Sequence, residues 1–563
     1  MKRKTVRSGR ALVGALTIGL FIANRAHAAS GSWDGGATSG SGSWSTPANW
    51  NPDGNPANGA TLTFGASGTS GPALDTGTFT SVGGLTFTSS TAAYAISQGT
   101  GGTLTLSGGI QQLGTVTVTM NNGMTLSGGG TMNVSQSGGT LTLSGILYGT
   151  GSLTKSGNGL LTLAGANTYS GATTISAGTV VAQNNAAFGT ITAGTLVAGG
   201  ATVDLGGTLS TDALNLGGET ITFSGTGVGG NGALVNNGAN QQINAVQRLV
   251  LAGNATIGGT KRWDVRGPGN SNNSLDMGSH NLTKTGVNYV GLIGTDVSNP
   301  GSIDVQDGIL NLTFGADLAG SSANKLTVQS GAGLSFYALS AAPVWTLIRN
   351  DGATVAATSG TGSTWAGPVT LNGAGTFSVS ASCGLTIVGT TGGGGSLTKD
   401  GAGTLTLDGS NTYTGGTTVN NGALVVASLN ALGSGTVTVN SGGSLVIADN
   451  AWSLANAMIL KGGTVSSCQD YAAAIGGGGS GTISGGNVRY TFTSSGNLTL
   501  PTTVTGASVL LVGGGGGGGN GNSVNQRPGG GGGGGQVLNL TSQTLGAGTL
   551  AVTVGGGVGA QHN

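Results

Sequence analysis

Charged residues are scarce in this 563-residue chain: Asp, Glu, Lys and Arg together make up 6% of it. That scarcity excludes a self-repelling charged chain, and no basic stripe is present to track nucleic acid or an anionic membrane. Histidine is nearly absent as well. Of three, His27 lies in an N-terminal leader and His562 next to the last residue, which leaves His280 as the one candidate acid, base or metal ligand in the body. One histidine and two distant cysteines build no metal site at standard spacings, so no cofactor or metal is expected. There is no G-x-S-x-G elbow, no H-E-x-x-H and no phosphate-cradling G-x-x-x-x-G-K-[ST]. Proline, at 10 residues, is too rare for a collagen or polyproline chain. Aromatics, at 4%, are too few for a series of aromatic-cored sandwiches. No stretch after the leader reaches the ~20 apolar residues of a membrane-spanning helix.

Glycine is the residue in excess, at 119. Between Leu85 and Ile483 it separates short alternating strands such as Leu104-Thr105-Leu106, Val116-Thr117-Val118, Leu161-Thr162-Leu163 and Leu405-Thr406-Leu407. Alternation sends Leu and Val to one face and Thr to the other. One segment also recurs. Residues 151–189, GSLTKSGNGLLTLAGANTYSGATTISAGTVVAQNNAAFG, return without a gap at 395–433 as GSLTKDGAGTLTLDGSNTYTGGTTVNNGALVVASLNALG, roughly half the positions being identical. Units kept in register in this way are stacked repeats that bury their faces against neighbours. With small inward residues, the pattern predicts a parallel β-helix. At ~22 residues per rung and ~4.8 Å between rungs, the body holds about 18 rungs over about 85 Å.

Four regions follow from these shifts in composition. Residues 1–29 read as a signal peptide: Lys2, Arg3, Lys4, Arg7 and Arg10 precede the apolar run Ala11 to Ala23, and Ala26-His27-Ala28 offers a cleavage site. Its removal leaves 12 basic against 17 acidic residues, a net charge near −5. Export across the inner membrane to the cell surface or medium is the expected destination. Residues 30–84 are a Trp-rich cap, 85–483 the parallel β-helix, and 484–563 a segment with glycine runs at 513–519 and 529–535. Strand-like text around those runs favours a folded module over a flexible linker. An oxidising compartment permits a disulfide between Cys383 and Cys468. Their 85-residue separation demands adjacent turns, and two buried free thiols are the preferred reading.

The pattern GSLTK-x-G-x-G-x-LTL-x-G-x-NTY-x-G-x-TT, present twice, closely resembles the autotransporter-associated β-strand repeat, also called the passenger-associated transport repeat, of large exported bacterial surface proteins. The RWDVRG run from Arg262 to Gly267, the stretch from Trp365 to Leu371 and the Trp-rich start are similar to segments that accompany such repeats. The resemblance implies a right-handed β-helical passenger, reliance on secretion machinery, and no catalytic residues. The C-terminal glycine runs resemble modules of adhesins and phage tail fibres. Nothing after Val512 reads as outer-membrane barrel strands, so either the chain continues past Asn563 or export depends on a partner.

Function is therefore read as an exported non-catalytic structural or adhesive stalk, with a glycan or another cell-surface molecule as its ligand. Candidate contacts are Trp33, Trp44 and Trp50 at one end and Asn520, Asn522, Asn525 and Arg527 between the glycine runs at the other; for the tryptophans, plugging the first turn is the preferred role and sugar stacking the alternative. One alternative is a β-helical polysaccharide lyase or glycosidase, for which Asp304 and Asp307 beside Lys284 are the best carboxylate pair. The other is a phage-tail-like receptor-recognition protein. Lys261, Arg262, Asp264 and Arg266 read as a solvated set of loop charges. An ice-binding Thr face at Thr103/Thr105, Thr115/Thr117/Thr119 and Thr140/Thr142 is disfavoured by irregular spacing, and calcium by glycine runs that lack Asp. Oligomeric state is not legible.

Three finer expectations come from the repeat. Leu161, Leu163, Leu405 and Leu407 point inward with Thr162 and Thr406 outward. Asn167 and Asn411 mark a corner of the coil by bonding backbone or by adopting a left-handed conformation. Tyr169 and Tyr413 pack beside that corner.

Overall fold

A computed structural model describes residues 30–34, 43–65, 73, 80–88, 93–97, 103–270, 272–360, 362–448 and 454–467, together with the backbone of strands at 473–484, 487–500, 504–512, 537–545 and 548–552. The leader, the segment holding Asn520, Asn522, Asn525 and Arg527, and Cys468 lie outside the described residues.

The fold is a parallel β-solenoid of about 17 turns. Successive turns pair in parallel at offsets that track loop length: Leu62 with Leu85, Leu85 with Ile110, Ile110 with Met132, Met132 with Lys155 and Lys155 with Ile175. Inside the repeat a rung is at its shortest, as in the pairs Leu161–Val180 and Leu405–Leu424. Longer turns elsewhere absorb their extra residues in corners and leave the strand register intact.

The parallel ladder begins earlier than Leu85. Gly31–Trp33 already pairs in parallel with Thr61–Phe64, and an antiparallel partner, Trp50–Asn51, closes the first turn from outside. At the far end the last parallel pairing joins Gly443–Ile447 to Thr464–Ser467, after which Ala473–Ser484 turns antiparallel. The coil thus stops short of Ile483.

Alternation behaves as expected on the inner face. Leu161, Leu163, Leu405 and Leu407 are buried and Thr406 is half-exposed. Thr162 faces outward as expected and is nevertheless only 8% exposed. Val181 lies directly above it, and Val181 is itself covered, a Cβ on Gly207 falling 2.9 Å from its Cγ1. The Thr rows also align better than their spacing suggests, Thr119 pairing with Thr142 and Thr142 with Thr162. Val181 ends that row, as Leu196 ends the row Thr131–Thr154–Thr174.

Candidate functional site

Inside the repeat the sequence places a lysine where the coil is apolar, and the geometry explains it. Lys155 is fully buried, and its Nζ donates to the carbonyls of Ser156 (2.9 Å), Gly157 (2.6 Å) and Ala177 (3.0 Å). Lys399 repeats this with Asp400, Gly401 and Asn421 at 2.9, 2.7 and 2.9 Å. All three N–H donors of each ammonium are thereby used, and two carbonyls come from the lysine's own turn and one from the next. Gly178 completes the pocket: it has φ +70°, and a Cβ there would stand 2.7 Å from Nζ and 2.5 Å from two carbonyl oxygens.

The N-T-Y run forms the next corner. Asn167 Oδ1 accepts from the Leu147 amide of the turn below (2.9 Å), and its Nδ2 donates to the Ala187 carbonyl of the turn above (2.8 Å). Asn411 does the same between Thr391 and Ala431. Both lie outside strands, as a corner requires, but neither takes a positive φ, so backbone bonding and not left-handed geometry selects asparagine here. Tyr169 and Tyr413 are buried beside the corner, each hydroxyl 2.6 Å from the Oγ1 of Thr173 or Thr417. Every conspicuous polar residue of the repeat therefore satisfies backbone or a partner inside the coil.

A third lysine of this kind was missed by the sequence reading. Lys284 is fully buried and donates to Thr285, Gly286 and Asp307 carbonyls at 2.9, 2.7 and 3.0 Å, with Gly286 and Gly308 at φ +74° and +62°. The signal was present: L-T-K-x-G occurs at Leu153, Leu282 and Leu397. The middle copy keeps the lysine pocket and has lost the N-T-Y corner.

Burial lowers the pKa of Lys155, Lys284 and Lys399 from the usual 10.5 to about 8. In the unfolded chain these groups bind protons up to the usual lysine range, so between about pH 8 and 10 the unfolded state holds more protons and stability rises with pH. The buried tyrosines oppose this only toward the top of the window, because burial raises their pKa and it is the unfolded phenols that begin to ionise near pH 10. Thermal melts in matched ionic strength are expected to move upward from pH 8 to pH 9.5; a falling Tm contradicts the assignment.

Of the two roles read for the tryptophans, the plug fits and the ligand contact needs correction. Trp33, Trp44 and Trp50 are 0–1% exposed, so they offer no face to a ligand. Trp33 and Trp50 meet edge to face at 5.2 Å, Trp44 and Trp50 at 6.1 Å, and Phe64 packs against all three before stacking on Phe87 at 4.8 Å. Large rings fill the first of the described turns, Gly31–Trp33 and Thr61–Phe64.

The charge set at Arg262 to Arg266 is corrected in part. Asp264 is fully buried, gripped by Arg262 through Nε (3.0 Å) and Nη2 (2.7 Å), and the guanidinium lies 4.6 Å from the Tyr289 ring centroid. Asp264 pairs in register with Gly291, whose missing side chain leaves room: a Cβ would stand 2.6 Å from Oδ1. Burial pushes the Asp264 carboxyl up, with Arg262 pulling against it.

Asp304 and Asp307 serve the framework. Asp304 accepts from Gln306 (2.9 Å) and Gln329 (2.7 Å), and the chain of amides continues through Asn350 to Asn372 along one corner of the coil. Asp307 Oδ1 accepts from the Gly308 amide at 2.7 Å. Asp307 also lines an open groove of about 510 Å³ with Asn231, Asn237, Thr260, Thr285 and Val287. Cys383 is a buried free thiol. Among the described residues no cluster of His, Cys, Asp or Glu could hold a metal, and no helix is long and apolar enough to cross a membrane.

Comparison with known families identifies the repeat. Residues 153–182 and 397–426 match the passenger-associated-transport-repeat, and residues 491–563 match a glycine-rich domain. The first two matches each run from the lysine strand through the N-T-Y corner to the strand after the second glycine. No curated protein and no solved structure is matched by the chain.

Proposed function

We propose that the chain is an exported, non-catalytic passenger-like stalk displayed at the cell surface, with residues 1–29 as its signal peptide and an adhesive role carried on a rigid coil. The observation that carries this reading is the pair of transport-repeat matches, whose buried lysines and asparagines bond from turn to turn and so stiffen a long parallel solenoid. Such a chain gains function from reach and display and needs no convergent acid–base pair. Asp304 and Asp307 are the residues on which the polysaccharide lyase or glycosidase alternative depends.

Expression of the full chain in a bacterium with an outer membrane tests the proposal. The expected result is protein outside the inner membrane, accessible to added protease or released to the medium, and retained in the cytoplasm when residues 1–29 are deleted. Cytoplasmic retention of the full chain would overturn it. So would polysaccharide turnover by the purified protein that Asp304→Asn or Asp307→Asn abolishes.

A further inference from the structure

Among the described residues only two Phe, Tyr or Trp side chains are exposed, and they touch each other. Phe314 is 41% and Tyr337 38% exposed, and their rings meet at 5.3 Å and 63°. They stand at the same corner on successive turns, Thr313 pairing with Tyr337. In a chain with 4% aromatics, where the other rings whose side chains are described are buried or half-buried, this pair stands out.

The backbone beneath the pair is strained. Phe314 has φ +54° and Ala338, next to Tyr337, has φ +48°. A bulky residue in this region is an outlier, because left-handed geometry crowds its Cβ against the following carbonyl oxygen. The corner is pinned across three turns: the Phe314 amide donates to Tyr337 O (3.0 Å), Ser340 donates to Phe314 O from both N and Oγ, and Ala338 N donates to Ser359 O. Gly360 must be glycine for this to close, since a Cβ there would fall 2.5 Å from that of Ala338. Strain that presents two apolar rings to water gains no burial in return. Backbone strain of this kind concentrates at binding sites.

We propose that Phe314 and Tyr337 form a stacking platform for a neutral pyranose of a glycan, placed on the flank of the coil and not at its tryptophan end. The stretches 311–316, 335–340 and 357–360 contain no charged residue, which disfavours an anionic or cationic ligand. Two rings cover far less than the ~800 Å² per partner that a stable protein interface buries. A sugar ring fits the patch: its C–H face lies on an aromatic ring while its hydroxyls reach polar groups. The exposed Ser340 and Thr358 supply those at the rim. This names the ligand class within the stalk reading, but the platform is tested on purified protein, so failure of export and failure of binding are seen separately.

The test titrates the purified full chain with cellohexaose, chitohexaose, mannohexaose and a galactohexaose by calorimetry, beside Phe314→Gly, Tyr337→Ala and the control Val344→Ala. At least one oligosaccharide is expected to bind, at least about tenfold more weakly to each aromatic variant and unchanged to the control. Phe314→Gly is also expected to keep or raise Tm, because glycine relieves the strain; a structural role for the ring would lower it. The proposal is overturned if none of the four binds the native chain, or if binding to both aromatic variants stays within about twofold. It is likewise overturned, in favour of a second copy of the chain as occupant, if the native protein self-associates in sedimentation and the aromatic variants do not.

Discussion

Leu407→Asp is expected to unfold the turns around it, at a cost above about 4 kcal/mol, whereas Thr406→Asp one residue away is expected to cost under about 1 kcal/mol. Leu407 sits between Ile387 on the turn below and Val426 on the turn above, all three buried. A carboxylate there would lose its water with no donor among these apolar neighbours, a penalty far above that of lost apolar contact. Each turn of a solenoid is stabilised chiefly by its neighbours, so the damage spreads to the adjoining rungs. Thr406 lies between Thr386 and Val425 on the outer face and is half-exposed, which lets an aspartate keep its hydration. Circular dichroism melts of the two variants decide the matter. Equal shifts in Tm would mean that the inner and outer faces have been misassigned.

Alternation at this strand was legible because period 2 survives any change in loop length. Leu405 and Leu407 need only their own tetrapeptide to declare a face. What lies between strands was less legible. The start of the ladder at Gly31 was hidden because a single short strand, Gly31-Ser32-Trp33, carries no repeat signal, and its partner is 31 residues on. The roles of Trp33, Trp44 and Trp50 depend on what covers them, which composition cannot state; end-plugging and ligand stacking both call for aromatics. Asp264 looked solvated because three other charges surround it in sequence, and its burial depends on the side chain missing from Gly291, 27 positions away. Thr162 was read correctly for direction, and its burial was not legible because the cover over Val181 comes from a loop. Phe314 carried no sequence signal at all: nothing in T-F-G-A marks a left-handed, exposed phenylalanine. Local pattern thus reaches as far as the strand, and contacts between turns decide the rest.

The lysine pocket carries the second large expectation. Lys399→Met keeps the length and apolar stem of the side chain but removes the three donors that satisfy the carbonyls of Asp400, Gly401 and Asn421. Each buried acceptor left unpaired costs about 1–3 kcal/mol, so a loss of about 3 kcal/mol or more is expected. Because Asn421 belongs to the following turn, the loss is one of coupling between turns and not only of local stability. Amide hydrogen exchange is therefore expected to quicken at Asn420 and Ala423, whose amides donate across these turns to the carbonyls of Lys399 and Gly403, before it changes at distant rungs. Arginine is not a substitute: the equivalent pocket at Lys155 leaves no room beside Nζ even for a Cβ on Gly178, and a guanidinium is wider still. The control is Lys461→Met, an exposed lysine on a later turn, for which a change within about 0.5 kcal/mol is expected. If both methionine variants melt alike and exchange alike, the buried lysine does not tie the turns together, and its recurrence at positions 155, 284 and 399 needs a cause outside the coil.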